Sequence, residues 1–100
     1  MIILGIDPGL KATGLGLIED REDNIGYIQS GTVVTSPHQA LENRLKKIYD
    51  NIKNIIEEFS PQVIAVEKLY SHHKHPITSS LLGHARGIIF LLAAQKSIPV

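Results

Sequence analysis

Ile2-Ile3-Leu4-Gly5-Ile6-Asp7 is the stretch from which the fold can be read. It is rich in β-branched residues, too short for a core helix and closed by Pro8-Gly9, which together predict a buried strand. Val63-Ile64-Ala65-Val66-Glu67 has the same form, entered after Ser60-Pro61 and also ending in a carboxylate. Neither run alternates apolar with polar residues, so both are expected inside a sheet with apolar cover on both faces. As parallel neighbours about 4.8 Å apart, they would bring Asp7 and Glu67 out together at one edge of the sheet. Two unpaired acids this close repel, and one takes up a proton unless a cation lies between them. Mg²⁺ suits that place, because one or two carboxylates hold it while water and substrate phosphate complete its oxygens. In period-two order Gly5 shares a face with Asp7, and Ala65 with Glu67, which leaves small residues behind both acids. Asp7 alone has a plainer reading as a turn former in Asp-Pro-Gly, and Glu67 at the end of the second run is what favours chemistry.

Between these runs the sequence fills in the rest of a sheet and one helix. Gly14-Leu15-Gly16-Leu17-Ile18 resumes an extended pattern after the turn, with Gly14 and Gly16 on one face where a backbone or ligand could come close. Polar residues from Glu19 to Asn24 form the next turn, and Tyr27 to Thr35 reads as a third, edge-type strand. The chain therefore starts as an antiparallel three-strand meander. Ser36-Pro37-His38-Gln39 carries helix-start signals: a serine cap, proline at the first helical position and a glutamine able to complete a capping box. Leu41, Leu45, Ile48, Ile52, Ile55, Ile56 and Phe59 then keep helical spacing up to Ser60-Pro61, which stops the helix. A helix placed there is the crossover that makes the Glu67 strand parallel to the first. A second helix is expected from about Thr78 to Lys96, with Gly83, Ala85, Gly87 and Ala93 offering a flat strip whose simplest use is close packing on the sheet. Ser97-Ile98-Pro99-Val100 reads as the exit toward a further strand.

Composition narrows the class. One hundred residues, 43% hydrophobic and 20% charged, make one soluble globular domain at residues 1–100. No run approaches the roughly 18 apolar residues of a membrane span, and no secretory signal precedes the first strand. Cysteine is absent, which removes disulfide and thiolate chemistry and fits a cytoplasmic protein. Ten basic residues balance ten acidic ones, so nucleic-acid binding would have to come from local patches. Lys11, Lys68, Lys74 and Arg86 are the candidates for backbone phosphates, against the plainer reading of charges that only meet solvent, and Tyr70 for base stacking, against the plainer reading of an aromatic at the edge of the core. His72-His73-Lys74-His75 lacks an established zinc spacing and a completing cysteine or acid, so a solvated or phosphate-contacting loop is the better reading.

Taken in order, Ile3-Leu4-Gly5-Ile6-Asp7-Pro8-Gly9, Thr13-Gly14-Leu15-Gly16, Gly31-Thr32 with Thr35, Arg44-Leu45 with Ile48-Tyr49, Val66-Glu67, Ala85-Arg86-Gly87 and Ile98-Pro99-Val100 resemble the amino-terminal part of RuvC-type Holliday junction resolvases. The resemblance implies an α/β, RNase H-like fold: a mixed sheet with helices on both faces, its carboxy-terminal part absent here. It implies a homodimer that cuts four-way junction DNA symmetrically by phosphodiester hydrolysis with Mg²⁺ or Mn²⁺, leaving 5′-phosphate ends, with a branch-migration helicase as partner. Asp7 matches the family's first metal-binding aspartate, Glu67 its catalytic glutamate, and Tyr70 a position usually held by a phenylalanine that meets junction bases. The family pattern continues past the equivalent of Val100 with two further acids. The chain is therefore expected to be a truncated nuclease domain, weak or inactive alone; the alternative is an inactive RNase H-like DNA-binding or dimerisation module.

Overall fold

The computed structural model describes residues 1–68 and 76–100. Its four strands are β1 (Ile2–Asp7), β2 (Ala12–Asp20), β3 (Ile25–Val34) and β4 (Val63–Val66), and its two helices are α1 (Leu41–Phe59) and α2 (Pro76–Gln95). The sheet order is β3-β2-β1-β4. β1 pairs with β2 and β2 with β3 in antiparallel fashion, and β1 with β4 in parallel, so the meander and the crossover both stand as the sequence predicts.

Register determines what each face of the sheet carries. Leu4 lies opposite Leu17 and Ile64, and Ile6 opposite Leu15 and Val66. These residues form one apolar face, packed with Ile48, Ile52 and Ile56 of α1 and with Ile89, Leu92 and Ala93 of α2 in a single buried cluster. Both helices share this cluster and are joined further by the Tyr49 hydroxyl donating to Gln95 and by Lys96 pairing with Glu57. The two-sided cover expected for β1 and β4 is therefore found on one side only among the described residues. Continuous apolar runs fit this outcome because Ile3, Ile18 and Val63, on the second face, remain only half-buried. β4 does gain a neighbour beyond itself: the Ile64 N–H donates to the Pro99 carbonyl at 2.9 Å, where the sequence exits toward a further strand.

The starts of both helices differ from expectation, while α1 ends where it was expected to. The Ser36–Gln39 segment forms one bond of the capping box, Ser36 N–H donating to Gln39 Oε1, while Ser36 Oγ accepts from His38 N–H, and the two close a separate turn. Ala40, extended at φ −61°, ψ 144°, stands between that turn and α1, and its carbonyl accepts from Asn43 and Arg44. At the other end Ser60 takes the left-handed conformation at φ 48°, and its N–H donates to Ile56. This single-residue C-cap ends α1 just before the proline. α2 begins two residues earlier than expected, at Pro76, a residue suited to the first helical position. Its buried strip is Ala85, Ile89, Leu92 and Ala93, whereas Gly83 and Gly87 are exposed, and a Cβ at either would meet nothing within 4 Å. Those glycines are not the residues that pack α2 on the sheet.

Candidate metal centre

Asp7 is the last residue of β1, and Glu67 follows the last residue of β4. The parallel ladder runs one step past Val66, since the Glu67 N–H donates to the Ile6 carbonyl at 3.0 Å. That bond sets the two acids side by side, both exposed, at the same end of neighbouring strands. Glu67 records the proximity: its carboxyl is held above the ordinary glutamate value of 4.5, first by a hydrogen bond with the Asp7 carboxyl, then by the Asp7 charge, and least by desolvation. Shared protonation and like-charge repulsion are the expected behaviour of paired carboxylates with no cation between them.

Small residues shape the ground behind them. Gly5 pairs with Gly16 on one side and Ala65 on the other, while Asp7 pairs with Gly14. A Cβ on Gly16 would meet nothing within 4 Å, and one on Gly14 would lie 3.5 Å from the Asp7 Cβ. The result is an open hollow of about 500 Å³, lined by Gly5, Asp7, Gly14, Gly16, Ala65 and Glu67 among others. A sheet face floored by glycine and alanine lets an extended ligand approach both carboxylates closely.

The turn leaving Asp7 is clasped from within. The buried Thr13 hydroxyl donates to the Gly9 carbonyl and accepts from the Gly9 N–H. A side chain at Gly9 is excluded, because its Cβ would lie 2.3 Å from the Ala12 carbonyl oxygen. Farther along, the Thr35 hydroxyl donates to the Leu10 carbonyl and accepts from Arg44 Nε, tying the turn to α1. Thr13, Thr35 and Arg44 belong to the stretches that carry the family resemblance, yet their spacing in the chain gives no sign that they brace one turn.

Oxygen donors are the right chemistry for a hard divalent cation, and Asp7 and Glu67 are the residues that would hold one. Among the described residues no group of three or more His, Cys, Asp or Glu side chains is placed to hold a metal, so the pair stands alone there. Lys11, in the turn after β1, and Lys68, beside Glu67, are exposed at this end of the sheet. Arg86 is engaged with protein: its guanidinium donates to the Glu67 main-chain carbonyl and lies 5.3 Å from the Phe90 ring centre. Tyr70, Lys74 and the His72–His75 cluster lie outside the described residues.

The antiparallel meander, the helical crossover to a parallel strand beside the first, and the acids at the ends of those two strands define an α/β protein of the RNase H-like class. The family model described as Crossover junction endodeoxyribonuclease RuvC matches residues 3–100. The chain belongs to the RuvC family. It is 40% identical over 99 residues to the Crossover junction endodeoxyribonuclease RuvC of Legionella pneumophila (strain Lens), covering 99% of this chain and 56% of that protein. It is also 40% identical over 100 residues to the protein so named in Pseudothermotoga lettingae, covering 100% of this chain and 61% of that one. A solved structure of T. thermophilus RuvC in complex with Holliday junction substrate superposes with a TM-score of 0.93 at 25% identity, covering 100% of this chain and 63% of that chain. The chain thus spans less than two thirds of the length of each relative.

Proposed function

We propose that this chain carries the Asp7 and Glu67 part of a metal-dependent endodeoxyribonuclease that resolves four-way DNA junctions in recombination and repair. The observation that carries the reading is the pairing of the two carboxyls on parallel neighbours above a glycine floor. Asp7 and Glu67 would hold Mg²⁺ or Mn²⁺, and a bound ion would supply charge stabilisation to a scissile phosphate and lower the pKa of its water. The residues themselves do three things in this reading. The carboxylates place negative charge where the cation is wanted, the glycines admit the backbone, and Lys11 and Lys68 meet neighbouring phosphates. Tyr70 stacking on a base and Lys74 as a further phosphate contact complete the proposed interface, while Arg86, expected from the sequence as another phosphate contact, is taken up by the Glu67 carbonyl and the Phe90 ring. We propose a homodimer in the cytoplasm, formed through the exposed face of α2, where Gly83 and Gly87 adjoin Phe90 and Leu91, which are 42% and 55% exposed. A branch-migration helicase is the partner this function calls for.

That the described residues offer two ligands and no third favours weak or absent cleavage by this chain alone, and supports a second reading as a DNA-binding or dimerisation module. Cleavage of a labelled four-way junction with Mg²⁺ tests both. The chain is run beside Asp7→Asn and beside a version extended to the length of its relatives. Nicks from the extended protein only, abolished by Asp7→Asn, are the expected result. Junction binding without nicks from either length would transfer the proposal to the module.

A further inference from the structure

Arg86 sits ten residues into α2, and its guanidinium makes two contacts at once. One N–H donates to the main-chain carbonyl of Glu67, nineteen residues back along the chain. The cation also lies against the ring of Phe90, one helical turn on, at 5.3 Å from its centre. A charge-assisted bond and an aromatic face together leave a planar group little freedom. The helix that carries them is anchored by Ala85, Ile89, Leu92 and Ala93, all buried, so Arg86 extends from a fixed base.

The carbonyl it holds is a telling one. Glu67 is one residue beyond β4, and its N–H makes the last bond of the parallel ladder, to Ile6. Its carbonyl is taken by Arg86. With both its N–H and its C=O held by partners, the Glu67 backbone is pinned, and with it the direction in which the Cα–Cβ bond leaves.

Resting on the reading of Asp7 and Glu67 as metal ligands, we propose that Arg86 is a positioning residue: it fastens α2 to the Glu67 carbonyl and thereby holds the Glu67 carboxylate beside Asp7. Its part is played through the backbone, and it need touch neither cation nor DNA. Coulomb's law taken alone gives the opposite expectation, because removing a positive charge near two carboxylates should tighten their hold on a cation. Positioning requires the hold to loosen, as happens when groups that orient metal ligands are removed.

Mn²⁺ titrated into the chain, followed by loss of the free-ion electron paramagnetic resonance signal, reads the difference without cleavage. Arg86→Met, which keeps length but removes charge and donors, should weaken binding about tenfold. Arg86→Lys, with one donor restored, should recover part of it. Asp7→Asn is the control for the site itself. If Asp7→Asn weakens binding while Arg86→Met leaves it equal or tighter, the positioning role is overturned and the metal reading stands. If the native chain takes up no Mn²⁺, or Asp7→Asn leaves uptake unchanged, the metal reading falls and takes the inference with it. Should Arg86→Met fail to fold, Phe90→Leu serves, since it keeps the guanidinium but removes its ring: a two- to threefold weakening is expected, and none would overturn the proposal. Junction binding across a salt series separates a phosphate contact, whose loss would lower the salt dependence by about one ion. Positioning leaves that slope unchanged.

Discussion

The two faces of the sheet are made by the same residues taken alternately, yet they obey different rules. On the covered face Leu4, Ile6, Leu15, Leu17 and Ile64 are buried against two helices, and shape complementarity decides what is allowed. On the open face Gly5, Gly14, Gly16 and Ala65 leave a hollow, and the groups that project from it are Asp7 and Glu67. One side is chosen to fill space and the other to leave it empty. A substitution should therefore declare its face by whether it costs stability or chemistry.

The widest separation is expected at Asp7. In the version extended to the length of its relatives, Asp7→Asn should reduce junction cleavage by more than about a hundredfold, beyond what loss of an outer partner of a metal ligand causes, while the urea midpoint does not fall. Loss of folding along with activity would show that the open face also carries the structure. Next comes Leu4, fully buried beneath the helices. Leu4→Ala should destabilise by about 2–5 kcal/mol in urea unfolding, the range for a core leucine, and a value under about 1 kcal/mol would mean that the covered face is loosely packed. Gly16→Val is the converse case, since a Cβ there meets nothing within 4 Å. Stability should not fall, and should rise by up to about 1 kcal/mol because a β-branched residue replaces a strand glycine, while cleavage by the version extended to the length of its relatives falls roughly tenfold because the substrate is displaced.

The smallest effect is a pH dependence. Glu67 is raised above 4.5 in the fold, so between its ordinary and raised values the folded chain binds more protons than the unfolded chain. Stability contributed by this group must then decline as pH rises through that window, and the repulsion is fully expressed above it. Urea midpoints taken from about pH 4 to about pH 7 should show this decline, with Asp7→Asn flattening it and Mg²⁺ opposing it. An unchanged slope in Asp7→Asn would mean that the two carboxyls do not feel each other.

Much of this was open to sequence reasoning because it depends on local pattern. Ile2–Asp7 and Val63–Glu67 name their own strands, and a helix between strands makes the second parallel to the first, which suffices to bring the acids together. α1 starts later than its sequence signals indicate because Ser36-Pro37-His38-Gln39 makes similar bonds in an isolated turn and at a helix cap, and only the backbone of Ala40 separates the two cases. Cover on one face escaped because an apolar run such as Ile2–Ile6 does not say whether Ile3 is half-buried or fully so. The Arg86 bond was illegible for a deeper reason: its acceptor is a main-chain carbonyl, which every residue possesses and no residue type announces. Gly83 and Gly87 show the reverse error, since a suggestive spacing on α2 falls on its exposed side.

The turn after Asp7 has a consequence for how the molecule comes apart. Gly9 is clasped by the Thr13 hydroxyl, and Leu10 is linked through Thr35 to Arg44 on α1, whereas the turn between β2 and β3 is closed by the Arg21 N–H to the Asn24 carbonyl among exposed residues. Amide hydrogen exchange should separate the two, with the outer turn opening freely and Gly9 exchanging only when the helices leave the sheet. Warming would then give no early blurring of the site: the frame around Asp7 should stay intact until the whole fold melts, and its memory of geometry should end in the same step.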